Sequence, residues 1–193
     1  MIVGVVHCIG LLLDDASGFG NFNQFVSGSG SVPDAESTYD SITRLSAFHA
    51  IDATIDYVKA NGLVGKQFPF VFISAAEAGW PDMPGGKQIE QYLAPDFLRR
   101  YLQAKRAVEE KLTYVEQQSL LRPVIPRPSL IYSLDRPASY LPVGAFVLGN
   151  RIGLPFVDRP VTVQSLANVI VLSISQPSIR SILRYSQIDE LSK

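Results

Sequence analysis

Apolar runs alternate with amphipathic stretches along the chain. Residues 2–9 and 68–73 consist almost entirely of apolar side chains, and Gly10 and Ser74 close these runs. Short, continuous apolar runs are typical of strands that are buried on both faces of a parallel sheet. We therefore predict strands at both places, with the first in a central position, and a third strand at residues 122–128.

Apolar residues recur at intervals of three and four in longer stretches, the pattern of one helix face. The helices predicted in this way are residues 38–61, 95–118, 161–175 and 178–191. The hydroxyl of Ser37 or Thr38 is suited to cap the first of them, and Asn61-Gly62 is suited to end it. Segments rich in Gly and Pro, at residues 14–37 and 79–86, are predicted loops.

The order strand, helix, strand, helix, strand predicts an α/β fold with a doubly wound parallel sheet. In such sheets, ligands bind beyond the carboxyl ends of the strands. Gly10, Ser74 and Pro128 occupy those ends in this sequence. They are therefore candidate site residues.

Composition narrows the possible functions. The 193 residues are 47% apolar and 18% charged, which is typical of one folded domain. With a net charge of −1 and no basic stripe, nucleic-acid binding has no electrostatic support.

Cys8, the single cysteine, fits a reducing compartment and is expected to be buried. We expect neither a transmembrane segment nor a metal site, since no apolar run is long enough and both histidines lack acidic partners.

Tyr101 and Lys105 are the residues with the clearest chemical meaning. They lie four residues apart on a predicted helix and share one face, where the ammonium can stabilise a phenolate. A tyrosine in that setting can donate or accept a proton in carbonyl–alcohol chemistry. The spacing alone also occurs by chance, so other segments have to support it.

Four segments in the expected order resemble the extended or atypical branch of the short-chain dehydrogenase/reductase superfamily, the epimerase/dehydratase-like enzymes. Residues 5–10 resemble its fourth strand and residues 70–74 its fifth. Tyr101-x-x-x-Lys105 resembles its active-site helix, and residues 127–132 resemble its sixth strand with the following loop. The resemblance covers nearly the whole chain and implies a Rossmann-like domain that binds NAD(P).

The resemblance also implies roles for individual residues. Tyr101 would be the proton donor or acceptor, and Lys105 would stabilise its phenolate and hydrogen-bond the nicotinamide ribose. Ser74 lies closest to the place of the hydroxyl that polarises the substrate. The backbone of Ile9 and Gly10 would contact the cofactor, and Pro128 would lie near the nicotinamide.

Residues 21–30 and 38–44 are similar to fungal mitochondrial members of this superfamily that are associated with coenzyme Q biosynthesis. The Rossmann-fold accessory subunit of complex I is a more distant relative. This similarity implies a mitochondrial matrix protein, peripheral to the inner membrane, that assists a ubiquinone-synthesising complex. Trp80, Met83 and the apolar groups of residues 132–154 suit a hydrophobic small-molecule substrate, although simple packing is an equal alternative.

Departures from the family pattern leave a non-catalytic alternative open. Ala75 and Ala76 stand where the family has its polarising hydroxyl, and Ser74 comes one position earlier. Thr43 stands where the family has a relay asparagine. The alternative to an oxidoreductase is therefore a scaffold or assembly factor with the same fold.

The glycine-rich turn that holds a dinucleotide pyrophosphate has no counterpart in the sequence. The glycines at 18–20 and 28–30 lead into loop rather than helix. We therefore expect residues 1–193 to be one partial Rossmann-like domain, truncated before its first βαβ units, with residues 133–160 as a substrate-side cap. Such a chain is expected to bind dinucleotide poorly.

Overall fold

A parallel sheet of four strands, flanked by helices, dominates the computed structural model, which describes residues 1–11, 13–18, 33–133 and 158–192. The predicted α/β class is thereby confirmed. The sequence segment at 21–30 and most of the predicted cap at 133–160 lie outside the described residues.

The described strands belong to two sheets. The strands are β1 (Val5–His7), β2 (Pro69–Phe72), β3 (Arg122–Pro126), β4 (Ile131–Tyr132), β5 (Val161–Thr162) and β6 (Ser181–Leu183). The main sheet has the order β1-β2-β3-β6 with all strands parallel, and β4 pairs with β5 separately. In the main sheet, Val71 of β2 lies opposite Val124 of β3.

Five α-helices within the described residues connect or cover these strands. They are α1 (Ser46–Ala60), α2 (Gly86–Tyr92), α3 (Asp96–Gln117), α4 (Val163–Ser175) and α5 (Tyr185–Leu191). A π-helical segment, Tyr39–Leu45, leads directly into α1, and 3₁₀ turns occur at Asp15–Ser17 and Ala76–Asp82. Since α1 and α3 connect parallel neighbouring strands, both predicted crossover helices are confirmed.

Alternate side chains of β2 point to opposite faces of the sheet and bury two separate cores. Phe70 and Phe72 are fully buried against apolar residues of α1 and α3. Val71 packs on the other side with Val169 of α4 and Ile188 of α5. The sheet is therefore covered on both faces, which explains why residues 68–73 are uniformly apolar.

The helices of the three crossovers lie on different faces of this sheet. The strand order follows the chain, so each connection moves in the same direction across the sheet. The helices α1 and α3 cover one face, whereas α4 covers the other. The connection from β3 to β6 therefore has the opposite handedness to the connections from β1 to β2 and from β2 to β3. Connections between parallel strands of one sheet are nearly always right-handed.

The predicted start and end of the first helical region are confirmed. Thr38 Oγ1 accepts a hydrogen bond from Ser41 N at 3.0 Å, and Ser41 Oγ accepts one from Thr38 N at 3.0 Å. The helix stops at Asn61, followed by Gly62 at φ 63°. Between cap and helix, the π-helical turns place Tyr39 and Thr43 in buried positions.

Three segment predictions were wrong. Residues 178–191 contain strand β6 as well as helix α5, because residues 181–183 pair with β3 and the tertiary pairing overrides local preference. Residues 79–86 include the end of a 3₁₀ turn and the start of α2 instead of an open loop. Val161, predicted to begin a helix, belongs to β5.

The first strand is shorter and more exposed than its apolar sequence predicts. Within the described part of the chain, β1 is an edge strand, not a central one, and Val6 is 36% exposed. Cys8, just beyond its end, is exposed, so the prediction of a buried thiol was wrong. The edge position explains both observations, because no neighbouring strand among the described residues covers that side.

A buried ion pair fixes α3 to the sheet. Arg127, directly after β3, donates from Nε to Glu109 Oε1 at 2.9 Å and from Nη2 to Glu109 Oε2 at 2.5 Å. Both residues are only 6% exposed. Such a bidentate contact has a defined geometry, and it anchors the helix one turn beyond Lys105.

Candidate active site

Several residues predicted from the sequence meet at the carboxyl ends of β1 and β2, where α3 crosses the sheet. Lys105 Nζ is at the centre of the group and donates a hydrogen bond to the carbonyl of Ile73 at 2.7 Å. It lies 4.8 Å from the centre of the Phe72 ring and 5.5 Å from that of Tyr101. A cation that faces two aromatic rings gains from their electron density.

Lys105 is buried, with 5% of its surface exposed. Burial disfavours the ammonium form and lowers the pKa of Lys105 to about 8, although the nearby Glu109 and Cys8 act in the opposite direction. The side chain is therefore still mainly protonated at neutral pH. It can lose its proton within a moderately alkaline range.

Tyr101 packs in an apolar cluster with Ala75, Ala78 and Leu102. The ring of Tyr39 meets it edge-on, with 5.7 Å between the ring centres. Burial raises the pKa of Tyr101, and the charge of Glu77 and the neighbouring Tyr39 add to this effect. At neutral pH the residue is therefore a neutral phenol, and the predicted stabilisation of a phenolate by Lys105 stays a prediction.

Ser74 is brought to the same edge of the sheet. Its backbone N–H donates to the carbonyl of Pro126 at 2.9 Å, which continues the pairing of β2 with β3. The side chain is 3% exposed, and its Oγ has no hydrogen-bond partner in the described part of the chain. A buried polar atom without a partner is uncommon and marks a place where a ligand can bind.

Glu77 is a carboxyl group at this edge that the sequence did not single out. It accepts a hydrogen bond from Ser129 Oγ at 3.2 Å. The pKa of Glu77 is raised, mainly by burial and in addition by the charge of Asp158. The hydrogen bond from Ser129 acts in the opposite direction. An acidic residue after two alanines has no sequence signature of burial, so only the tertiary structure reveals it.

Gly10 lies beside Lys105, with room for ordinary van der Waals contact between them. A Cβ atom at Gly10 would lie 3.4 Å from Lys105 Nζ and 3.9 Å from Thr43 Oγ1. Thr43 is fully buried, and its Oγ1 accepts a hydrogen bond from the backbone N–H of Leu11 at 3.3 Å. Thr43 therefore fixes the chain after β1, while Ile9 is 58% exposed beside it.

These residues fit one end of a dinucleotide and not the other. Gly10, Tyr101 and Lys105 form an edge with a close main-chain approach, a hydroxyl and an ammonium, groups that suit a ribose and its attached ring. A pyrophosphate is usually held by a glycine-rich turn from strand to helix. None of the described ranges contains such a turn.

Pro128 lies on the β3 side of this edge, and its carbonyl accepts a hydrogen bond from Ala76 N at 3.0 Å. This hydrogen bond holds residues 75–77, which follow β2, against the end of β3. The contact fixes the backbone of residues 75–77, from which Glu77 extends. The predicted proximity of Pro128 to a nicotinamide stays a prediction.

An ion pair that sequence reasoning missed lies next to Tyr101. Arg100 Nη2 lies 3.1 Å from both carboxylate oxygens of Asp14, which is 4% exposed. Tyr39 Oη accepts a hydrogen bond from the backbone N–H of Asp14 at 3.2 Å. Asp14 opens the predicted loop at residues 14–37, and the sequence carries no sign of partners so distant along the chain.

No protein-family model matches the chain, and no curated protein and no solved structure matches it. Among the described residues, no helix has the length and apolar character needed to cross a membrane. The same residues contain no group of three or more His, Cys, Asp or Glu placed to hold a metal ion.

Proposed function

We propose that this chain is an NAD(P)-dependent oxidoreductase of the short-chain dehydrogenase/reductase type, with Tyr101 as proton donor and Lys105 as its cationic partner. The observation that carries the proposal is the buried ammonium of Lys105 beside Tyr101 and Gly10, at the carboxyl edge of a parallel sheet. A buried lysine with a strongly lowered pKa at a ligand-binding edge is typical of functional sites.

The protonation states favour reduction of a carbonyl over oxidation of an alcohol. A neutral phenol can donate its proton to the alkoxide that forms as a carbonyl is reduced. The resulting phenolate would lie beside the Lys105 ammonium, which stabilises it. Oxidation would have to begin from the phenolate, which the raised pKa of Tyr101 disfavours.

A bound nicotinamide dinucleotide would supply the hydride for this reaction. Lys105, Tyr101 and Gly10 would hold its ribose side, with Ile9 and Pro128 adjacent to them. Ser74 Oγ, which is buried and unpartnered within the described residues, would donate a hydrogen bond to the substrate carbonyl. The donor would polarise that carbonyl before the proton arrives from Tyr101.

A hydrophobic substrate is part of the proposal. Trp80 and Leu98 pack against the apolar cluster that surrounds Tyr101. Apolar walls with a few polar groups are typical of small-molecule sites. The proposal of a quinone precursor, a mitochondrial matrix location and a role beside an inner-membrane complex rests on the resemblance of residues 21–30 and 38–44, of which the first segment lies outside the described ranges.

A scaffold without catalysis is the second candidate, and specific observations favour it. Ala75 and Ala76 provide no hydroxyl after β2, and the pyrophosphate turn has no counterpart in the described ranges. A protein that only assists assembly of a complex would need the fold but not the proton donor. The two candidates therefore differ in what they require of Tyr101.

Substitution of Tyr101 by Phe separates them, with Tyr114→Phe on the exposed side of the same helix as the matched control. We expect NADPH binding to be retained, and carbonyl reduction to fall by a factor on the order of a hundred or more because the proton donor is lost. In cells, ubiquinone content should fall while the protein level and its mitochondrial fraction stay unchanged. Normal ubiquinone content in the Tyr101→Phe cells would refute the enzyme and favour the scaffold.

A further inference from the structure

His7, the last residue of β1, has a side chain whose hydrogen bonds determine where its proton lies. Its Nε2 atom is 3.2 Å from Ser46 Oγ. The Ser46 hydroxyl also forms a shorter hydrogen bond, as donor, to the carbonyl of Ile42. A hydroxyl has a single proton to donate, so Ser46 Oγ accepts from His7 and Nε2 carries the ring proton.

The other ring nitrogen, Nδ1, is therefore a bare acceptor. His7 is 5% exposed, and Nδ1 has no hydrogen-bond partner within the described ranges. Burial and the charge of Lys105 lower the pKa of His7, which keeps the ring neutral at physiological pH, although a hydrogen bond with its own backbone carbonyl acts in the other direction. A lone pair buried in this way needs a donor.

The ring of His7 lies near the lysine site, since the charge of Lys105 acts on it. His7 and Lys105 both pack on Phe72, with the His7 ring centre at 5.8 Å and Lys105 Nζ at 4.8 Å from the Phe72 ring centre. Lys105 binds the carbonyl of Ile73, and the next residue, Ser74, carries the second unpartnered buried atom. Within the described residues, both unpartnered buried atoms therefore belong to residues close to the Lys105 ammonium, which has donors beyond the one that binds Ile73.

We infer that His7 is a positioning residue of the lysine site: its Nδ1 accepts a hydrogen bond from a water molecule or ligand hydroxyl that Lys105 and Ser74 also bind. The bridging group uses one donor of the Lys105 ammonium, as the Ile73 carbonyl uses another. The third donor is then left to face Tyr101 and a bound ligand. His7 in this way determines the direction of the ammonium.

The hydrogen bond to Ser46 excludes a role for His7 as a proton shuttle. A shuttle has to release a proton from one nitrogen when it receives one at the other. The Nε2 proton points to Ser46, whose own proton is committed to the carbonyl of Ile42. A carbonyl cannot pass a proton on, so any proton pathway from His7 would end at the carbonyl of Ile42. His7 therefore acts as a fixed hydrogen-bond acceptor.

Two amide substitutions separate the two ring nitrogens. The amide of Asn occupies about the place of Nδ1, whereas that of Gln reaches the place of Nε2. His7→Asn therefore keeps an acceptor towards Lys105 and loses the contact with Ser46. His7→Gln keeps the contact with Ser46 and loses the acceptor, and each variant is the control for the other.

The readout is the pKa of Lys105, measured by NMR on lysine-labelled protein, with Lys105→Arg used for assignment. The groups that act on this pKa from the surrounding elements are Glu109 on α3 and Cys8 after β1, and neither is changed. We expect His7→Gln to lower the pKa of Lys105 by about one unit, since a hydrogen bond that stabilises the charged form is lost. His7→Asn should leave that pKa near its original value.

Nitrogen NMR of the unmodified protein provides a second test that needs no variant to fold. We expect a ring protonated at Nε2 and bare at Nδ1. Protonation at Nδ1, or equal changes of the Lys105 pKa in the two variants, would overturn the inference. The inference rests on the proposed role of Lys105, but these measurements need neither dinucleotide nor substrate, so its failure can be distinguished from failure of the proposed function.

Discussion

Replacing Lys105 by Met should make the protein more stable at neutral pH. Burial lowers the pKa of Lys105 from 10.5 to about 8. At about 1.4 kcal/mol per unit, the buried ammonium costs about 3 kcal/mol of folding free energy at pH 7. Met is unbranched and close in volume, so it fills the same space without a charge.

Loss of the hydrogen bond to Ile73 offsets part of this gain. That bond contributes roughly 1 kcal/mol in either protonation state of the lysine. We therefore expect Lys105→Met to raise the free energy of unfolding by about 2 kcal/mol at pH 7. At this pH the penalty for the ammonium is fully present in the unmodified protein.

The pH dependence of this difference is the sharper test. Between about pH 8 and 10.5, the unfolded chain binds a proton at Lys105 that the folded chain has released. The free energy of unfolding of the unmodified protein therefore rises with pH through this window, and that of Lys105→Met lacks this contribution. The difference should therefore fall by about 3 kcal/mol, and at the end of the window the variant should be about 1 kcal/mol less stable than the unmodified protein, because only the loss of the hydrogen bond remains.

Urea unfolding at several values between pH 7 and 10.5 measures this difference. Cys8 should be Ser in both proteins, because partial desolvation raises the pKa of its thiol, although the residue is exposed, and gives it a pH dependence of opposite sign in the same range. Lys111→Met, on the same helix but in a surface ion pair with Asp52, is the control, and its difference should stay within about 1 kcal/mol at each pH. A pH-independent difference for Lys105→Met would refute the argument.

Two further predictions concern the ion pair and the backbone packing that hold the site in place. Arg127→Met should destabilise the protein by about 3–5 kcal/mol because Glu109 is left buried without its partner, and the double substitution with Glu109→Met should recover most of this loss. Urea unfolding measures both, and additive effects of the two substitutions would contradict the coupling. Gly86→Ala should also destabilise strongly, by more than about 2 kcal/mol, since its Cβ would overlap the backbone carbonyl of Trp80. Gly18→Ala, which has open space around it but φ of 74°, is the control for backbone strain alone, and an equal loss in both would contradict the steric explanation.

The parts of the fold that the sequence predicts are those with a strong local signal. The apolar run of β2 and the three-to-four periodicity of α1 and α3 reflect burial that each element experiences along its whole length. Strand β6 carries no such signal, because Ser181 and Ile182 are exposed at the sheet edge and only its pairing with β3 defines it. Its local sequence was therefore predicted as part of a helix.

For the candidate site, the sequence predicts the positions of the residues but not their protonation states. Tyr101, Lys105, Ser74 and Gly10 lie at positions that strand ends and helix spacing identify. Their protonation states were not predictable, because the neighbours that set them come from distant parts of the chain. Tyr39 and Glu77, which raise the pKa of Tyr101, are examples on two separate elements.

The stability of Lys105→Met also bears on the choice between enzyme and scaffold. If the chain is a scaffold, the buried ammonium serves no reaction, and its removal should give a more stable protein with unchanged assembly of its complex. If the chain is an enzyme, the same substitution should give a more stable protein that no longer reduces its substrate, the trade-off expected when an active site is built at the expense of stability. Because both candidates predict the gain in stability, a variant that is inactive and at least as stable as the original excludes misfolding as the cause and assigns the loss to chemistry at Lys105.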